Sequence, residues 1–300
     1  MIRRMGGSTL MACALLIAIA PLNLIHAQAW LPLRGEGQVT VTYENIYVRD
    51  HFDYLGKRFD AGPIRTNTVL TTFEYGITNK LTLDSQLTHV TSKYEGFVAP
   101  VPHGPPDTGV YHPTFQDATI GVRYNVLSRE LMVTPFVAVV IPTHHYETRG
   151  HTAVGRDLRE LQVGINVGRS LEDIIPRTYV QARYSYAFVQ NVEQFGLDRS
   201  NADWEFGYYA KPRLSLRFTG AWQYTHSGLR FPLDQAIPHF HDLHDRAAKS
   251  GFVRFGGGFT ATLTRNIDLH ADFGNTFKGT TTHGARGLSL GISWRFSRGG

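Results

Sequence analysis

"GLSLGISWRF", residues 287–296, decides the reading of this chain. Leu288, Leu290, Ile292, Trp294 and Phe296 are apolar, while Ser289, Gly291, Ser293 and Arg295 between them are small or polar. Successive side chains of a strand point to opposite faces, so this segment has one wholly apolar face, tipped by two aromatics. Such a strand must place that face against something greasy along its whole length.

The same period of two runs back through the chain to Gln38. Leu81, Leu83, Leu87 and His89 alternate with Thr82, Asp84, Gln86 and Thr88. Leu214, Leu216, Phe218, Trp222 and Tyr224 alternate with Ser215, Arg217, Thr219 and Gln223. Twelve segments follow this pattern, at 38–49, 64–75, 81–91, 116–126, 131–142, 159–168, 178–188, 201–209, 214–226, 252–262, 267–277 and 286–296. Most have the length a tilted strand needs to cross a bilayer, about 9–11 residues or slightly more.

The connections alternate as well. Short ones, such as "GITNK" (76–80), "LSRE" (127–130), "AKPR" (210–213) and "LTRN" (263–266), take turns with long ones at 50–63, 92–115, 143–158, 189–200, 227–251 and 278–285. An outer-membrane barrel with both termini periplasmic has this rhythm. A soluble β-sandwich also alternates apolar and polar residues, but charges such as Asp84, Arg123, Arg183, Glu205 and Arg217 crowd the polar face. Aromatics gather near the expected strand ends, among them Tyr43, Tyr47, Tyr75, Tyr186, Trp204, Trp222 and Phe296, and aromatic rings favour the headgroup level. The expected fold is therefore an all-β, antiparallel up-and-down transmembrane barrel over residues 38–296, of about twelve strands. Closure is obligatory there: an edge strand in hydrocarbon would leave backbone groups unpaired, at several kcal/mol each.

The N-terminus reads as an export signal over residues 1–27. Arg3 and Arg4 supply positive charge, Leu10–Ala20 the apolar stretch, and Ala27-Gln28-Ala29 the small-residue cleavage pattern, so cleavage follows Ala27 or Ala29. Cys13, the single cysteine, lies within it, so the mature chain carries no disulfide. Residues 28–37 form a short periplasmic segment, too short for a globular plug, and 297–300 a tail. The composition is 42% hydrophobic, 18% charged and 12% aromatic, which excludes disorder. A net charge of +5 without basic and aromatic clustering gives no reason to expect a nucleic-acid partner. The expected location is the bacterial outer membrane, and the expected partners are its lipid, its assembly machinery and a small solute.

The polar faces define the candidate lumen: Asp84, Gln86, Asp117, Arg123, Gln162, Asn166, Gln181, Arg183, Asp203, Glu205, Arg217, Gln223, Arg254, Asp268, His270 and Asp272. A twelve-stranded barrel is about 24 Å across between backbones, leaving at most roughly 10 Å once side chains fill in. Two alternatives stand. Arginines and carboxylates line a narrow channel, or they pair across the lumen and close it, since buried charges are costly unless paired.

Loop histidines are a further candidate. "HFHDLHD" (239–245) gathers His239, His241, Asp242 and His244, all able to ligate zinc, copper or nickel, although the spacing matches no fixed zinc motif and solvated loop histidines are the plainer reading. Enzymatic chemistry finds little support. His226 and Ser227 are adjacent and so face opposite ways, no G-x-S-x-G elbow exists, and no cofactor motif is present.

Several stretches resemble the outer-membrane proteins grouped as the "MetA-pathway of phenol degradation" family of transporters: "AWLPLRGEG" (29–37), "FEYGITNKLTL" (73–83), "TPFVAVVIPTHHYE" (134–147), "EFGYYAKPRLSLR" (205–217) and the closing "GISWRF". The resemblance implies a barrel that passes small hydrophobic or aromatic compounds by diffusion; the alternative is a closed scaffold whose long loops bind surface ligands or metal. Gly291, Trp294 and Phe296 also resemble the C-terminal signal read by the outer-membrane assembly machinery. Chains bearing that signal usually end at the last aromatic, whereas here Ser297–Gly300 follow.

Overall fold

The computed structural model describes residues 29–96, 105–230 and 244–297. The expected signal peptide with Cys13, the final three residues, and His239, His241 and Asp242 lie outside them. The described chain forms thirteen strands: β1 (Glu36–Phe52), β2 (Arg58–Thr78), β3 (Leu81–Tyr94), β4 (His112–Tyr124), β5 (Leu127–Ser128), β6 (Leu131–Pro142), β7 (Glu160–Ser170), β8 (Thr178–Val189), β9 (Arg199–Lys211), β10 (Leu214–Thr225), β11 (Gly251–Thr262), β12 (Ile267–Thr280) and β13 (Thr282–Ser297). β5 is a two-residue ladder at the β4–β6 turn. The other twelve each pair antiparallel with their sequence neighbours, and β1 pairs with β13 from Glu36↔Ser297 to Phe52↔Thr282. The sheet is closed.

The closing strand has the two faces its sequence requires. Leu288, Leu290, Ile292 and Trp294 are exposed on the outside, while Ser289, Gly291 and Ser293 are buried inside. The outer surface continues as a belt of Val41, Val69, Ile120, Val137, Ile165 and Leu216, each more than a third exposed. A continuous apolar belt round a closed sheet is the form hydrocarbon demands. Among the described residues no helix is long and apolar enough to cross a membrane; the strands do the crossing.

Two of the expected long connections are strand instead. β1 and β2 stay paired out to Phe52↔Arg58, leaving only five residues between them, and β12 and β13 turn at Thr281 alone, with φ at 44°. These strands exceed what a bilayer needs, so their tips project beyond it. The outward charges on this side of the barrel agree: Arg49 pairs with Asp60 at 2.8 Å and Arg65 with Glu95 at 2.8 Å, ion pairs that belong in water. The rhythm of long and short connections thus holds for the middle of the chain and fails at its first and last hairpins. Both termini of the barrel sit at the end carrying the short turns, here called the turn end; the opposite end is the loop end.

The aromatics divide into rims and a middle group. Phe73, Tyr75 and Phe296 stack with centroids 6.2–6.4 Å apart at the turn end; toward the loop end Trp222 stacks on Tyr224 at 6.3 Å and Tyr186 meets Phe188 edge-on at 4.9 Å. Tyr43 and Trp204, expected near strand ends, lie in mid-strand. Trp204 packs there edge-on to Phe218, 5.2 Å away.

Candidate functional site

Because strand parity fixes which side chains point inward, the lumen is assembled one residue in two from every strand. Asp84, Gln86, Arg123, Gln162, Gln181, Arg183, Glu205, Arg217, Asp268, His270 and Asp272 line a cavity of about 510 Å³ in the turn-end half. Asp203 and Arg254, together with Gln162 and Arg183, line a second cavity of about 700 Å³ toward the loops. The two cavities therefore meet at Gln162 and Arg183. Asp117 accepts a hydrogen bond from the Tyr146 hydroxyl at 2.7 Å, which ties the loop after β6 to the wall. Asn166 is buried and donates to the Thr134 carbonyl, and Gln223 donates to Asn201.

The charges are paired in a pattern. Arg123 reaches across β3, bonding both Asp84 oxygens at 2.8 Å and also meeting Glu74 of β2. Arg217 bonds both oxygens of Asp272, two strands away. Arg199 pairs with Glu160 at 2.5 Å and Arg295 with Asp268 at 3.0 Å. Glu205 accepts from the Tyr179 hydroxyl at 2.6 Å and from Gln181 at 3.0 Å. Charge-assisted, forked bonds of this kind hold buried ions that would otherwise be costly.

Arg183 is arranged differently. Its guanidinium lies over the Phe136 ring, 4.0 Å from the centroid. Asp203 stands opposite it in the β8–β9 ladder, yet among the described residues no ion pair joins Arg183 to a carboxylate. Arg254 lies likewise over Phe252, at 3.7 Å.

Charge is also unevenly distributed along the axis. Six carboxylates, Glu44, Glu74, Asp84, Glu205, Asp268 and Asp272, face the turn-end cavity against Arg123, Arg183 and Arg217. Four arginines, Arg156, Arg183, Arg199 and Arg254, face the loop-end cavity against Asp53 and Asp203. Glu44 and Glu74 were not among the expected lumen residues. Their signal was nevertheless present: Glu44 follows Thr40 and Thr42 in step two, and Glu74 stands between the outward Phe73 and Tyr75.

Each end of the lumen is partly covered. At the turn end, the segment before β1 crosses the opening. Gly35 bonds to Gly76 of β2, while Ala29 is fully buried on the far side, accepting from the Thr134 hydroxyl at 2.8 Å and donating to Gln181 at 3.3 Å. Trp30 packs edge-on to Tyr179. At the loop end, residues 143–159 fold inward. The buried Asp107 carboxylate accepts from the backbone N–H groups of His151 and Thr152, at 2.8 and 3.0 Å, and from both their side chains. Burial works to raise the Asp107 pKa, but these hydrogen bonds outweigh it and hold the carboxyl below its ordinary range. His151 then stacks on Tyr94 at 4.4 Å and approaches His51, which in turn lies 4.4 Å from His283.

The expected metal residues fall mainly outside the described chain; His244 begins a single helical turn, His244–Ala247. Among the described residues no three ligand-type side chains are grouped to hold a metal ion. On the outer wall, His226 pairs not with Ser227 but with Ser200, whose hydroxyl lies 2.9 Å from its Nε2 and 2.9 Å from the Tyr184 hydroxyl. A serine nucleophile needs its histidine oriented by a third group. Among the described residues no carboxylate bonds the other His226 nitrogen, so this is a polar link within the aromatic rim.

No family model matches the sequence, the phenol-degradation transporter family included, and no curated protein sequence matches it. Solved structures do match the fold. An outer membrane channel from Pseudomonas putida F1 superposes with a TM-score of 0.68 at 13% identity, covering 89% of this chain and 97% of that one. The translocator domain of the autotransporter NalP from Neisseria meningitidis superposes with a TM-score of 0.51 at 11% identity, covering 88% and 90%. The chain therefore has the fold of outer-membrane barrels. Two neighbours with such different names on one wall show that function has to be argued from the lumen.

Proposed function

We propose that this chain is an outer-membrane channel through which small solutes, aromatic compounds among them, diffuse passively. The observation that carries this reading is the pair of cavities, about 510 and 700 Å³, that share Gln162 and Arg183 in the middle of a membrane-spanning wall. A lumen filled by its own ion pairs would leave no such space. The pairs instead lie along the wall, where they fix the lining. The aromatic preference comes from the family resemblance and from the rings that face the lumen, Phe136 and Phe252. In this reading the turn end is periplasmic and the projecting loop end extracellular, and residues 287–296 are the segment presented to the assembly machinery.

Planar-bilayer recording tests it. The purified chain should give discrete conductance steps in KCl, and Gln162→Trp, at the junction of the cavities, should reduce the step size several-fold. A correctly folded but electrically silent protein would favour the closed scaffold.

A further inference from the structure

We propose that the loop-end cavity is a binding site for a small planar aromatic carboxylate, held by the edge of the Arg183 guanidinium. The inference rests on the channel reading and names the solute class for it. With Arg199 balanced by Glu160, Arg156, Arg183 and Arg254 still outnumber Asp53 and Asp203, which favours an anion in this cavity, and Asp53 already accepts the backbone N–H groups of Leu55 and Lys57 at 2.8 Å. The turn-end cavity, with its excess of carboxylates, repels one. An anion entering from the loops therefore comes to rest at the boundary, where Arg183 stands.

Arg183 is built to receive it. The Phe136 ring holds the guanidinium from one face, and the side chain lines both cavities, so its forked N–H edge is the part left to meet a ligand. That fork matches a carboxylate in two parallel bonds. Among the described residues no carboxylate has taken that place, in contrast to Arg123, Arg199 and Arg217, each of which is ion-paired. The body of the ligand is specified by the walls. Phe59 and Phe252 line the same cavity, and Phe136 continues beneath Arg183, so a flat ring finds apolar faces beside the charged group. A volume of about 700 Å³ lies within the roughly 300–1,000 Å³ range of small-molecule sites. Binding energy then comes from a pre-set fork and a stacked ring, with little ordering to be done on arrival.

Calorimetry on the full chain in detergent, with benzoate as the probe, reads the site directly. Benzoate should bind saturably, benzyl alcohol at least ten-fold more weakly, and Arg183→Gln should weaken benzoate at least ten-fold. Arg183→Lys, which keeps the charge but loses the fork, should fall between. Each variant is first shown to be folded by its heat-modifiable mobility on gels. Equal affinity for benzoate and benzyl alcohol, no benzoate heat in the wild type, or full affinity in a folded Arg183→Gln variant would each overturn the assignment. The same preparation in a planar bilayer separates the two readings: conductance without benzoate binding removes only the ligand class, whereas binding without conductance removes the channel.

Discussion

Arg217 and Asp272 face each other across an intervening strand, the guanidinium Nε and Nη2 donating to the two carboxylate oxygens at 2.8 and 2.6 Å. The strand between them is β11, and Gly258 lies beneath the bond, where a β-carbon would collide with the Asp272 carboxylate. Both side chains are nearly buried, at 7% and 1% exposure. Such a pair strands a charge when one partner goes, at a cost of about 3 kcal/mol or more. Arg217→Ala and Asp272→Ala should each lower the unfolding free energy, read from urea titration of the refolded barrel, by that much. The double variant should recover part of the loss. Two single losses that simply add would show the pair to be uncoupled.

In the closing strand, Gly291 stands opposite His270 of β12. It points inward, where a β-carbon would run into the His270 ring and the Thr42 hydroxyl, which bond each other at 3.0 Å. Trp294 and Phe296 point outward, into the turn-end rim. The three residues of the proposed assembly signal thus have separable physical roles. Gly291→Val should impair refolding from urea into detergent, where no machinery is present, by overpacking worth about 1–3 kcal/mol. Phe296→Ala should refold there normally yet accumulate poorly in the outer membrane of cells. Equal behaviour of the two variants in both assays would remove the signal role from Phe296.

How far the sequence speaks follows from the same parity. Period two placed Leu288 outside and Ser289 inside, and did the same in most strands, because a bilayer tolerates no slip of register; it is silent in β6, where the inward Phe136, Ala138 and Val140 are as apolar as the outward Val137, Val139 and Ile141. It also carried Glu44 and Glu74, overlooked only because each sits among aromatics and reads as part of the oily face. The first and last hairpins were misread as loops for a physical reason. Beyond the bilayer the outward residues become charged, as at Arg49 and Asp60, and the apolar alternation that marks a strand ends although the backbone pairing continues. The stack of Arg183 on Phe136 was not legible at all. It joins β8 to β6, and nothing local in either strand records which inward side chain of the other it will meet.

The Asp107 clamp makes a pH prediction. Its carboxyl titrates below the ordinary range in the folded protein because His151 and Thr152 donate to it. A depressed folded pKa means that the stabilisation is complete above the unfolded value, about 3.9, and is lost as pH falls through the lowered folded value. Loop 143–159 should therefore stay docked from pH 7 to 5 and loosen only below about pH 4. Current noise recorded across that range, with cleavage of the loop by an acid-active protease, reads the docking. Asp107→Ala should show the loosened behaviour already at pH 7. A wild type whose noise rises between pH 7 and 5 would point to the neighbouring histidines instead.

The turn end poses the converse question, since its cover consists of a few residues held by side chains rather than by a ladder. Ala29 is anchored by two hydrogen bonds, from the Thr134 hydroxyl to its carbonyl and from its N–H to Gln181. Gln181 also donates to Glu205, and Trp30 rests against Tyr179, which bonds the same carboxylate. A net contribution of about 1 kcal/mol per bond makes this attachment weak beside the strand pairing that starts at Glu36. Removing both bonds in Thr134→Val/Gln181→Leu should free the segment without unfolding the wall. Conductance should then rise, and a cysteine placed at Ala29 should react with a thiol reagent added from the turn side many-fold faster than in the parent background. If conductance stays unchanged while that cysteine becomes reactive, the segment moves but does not obstruct the path, and the resistance of the lumen lies at Gln162 and Arg183.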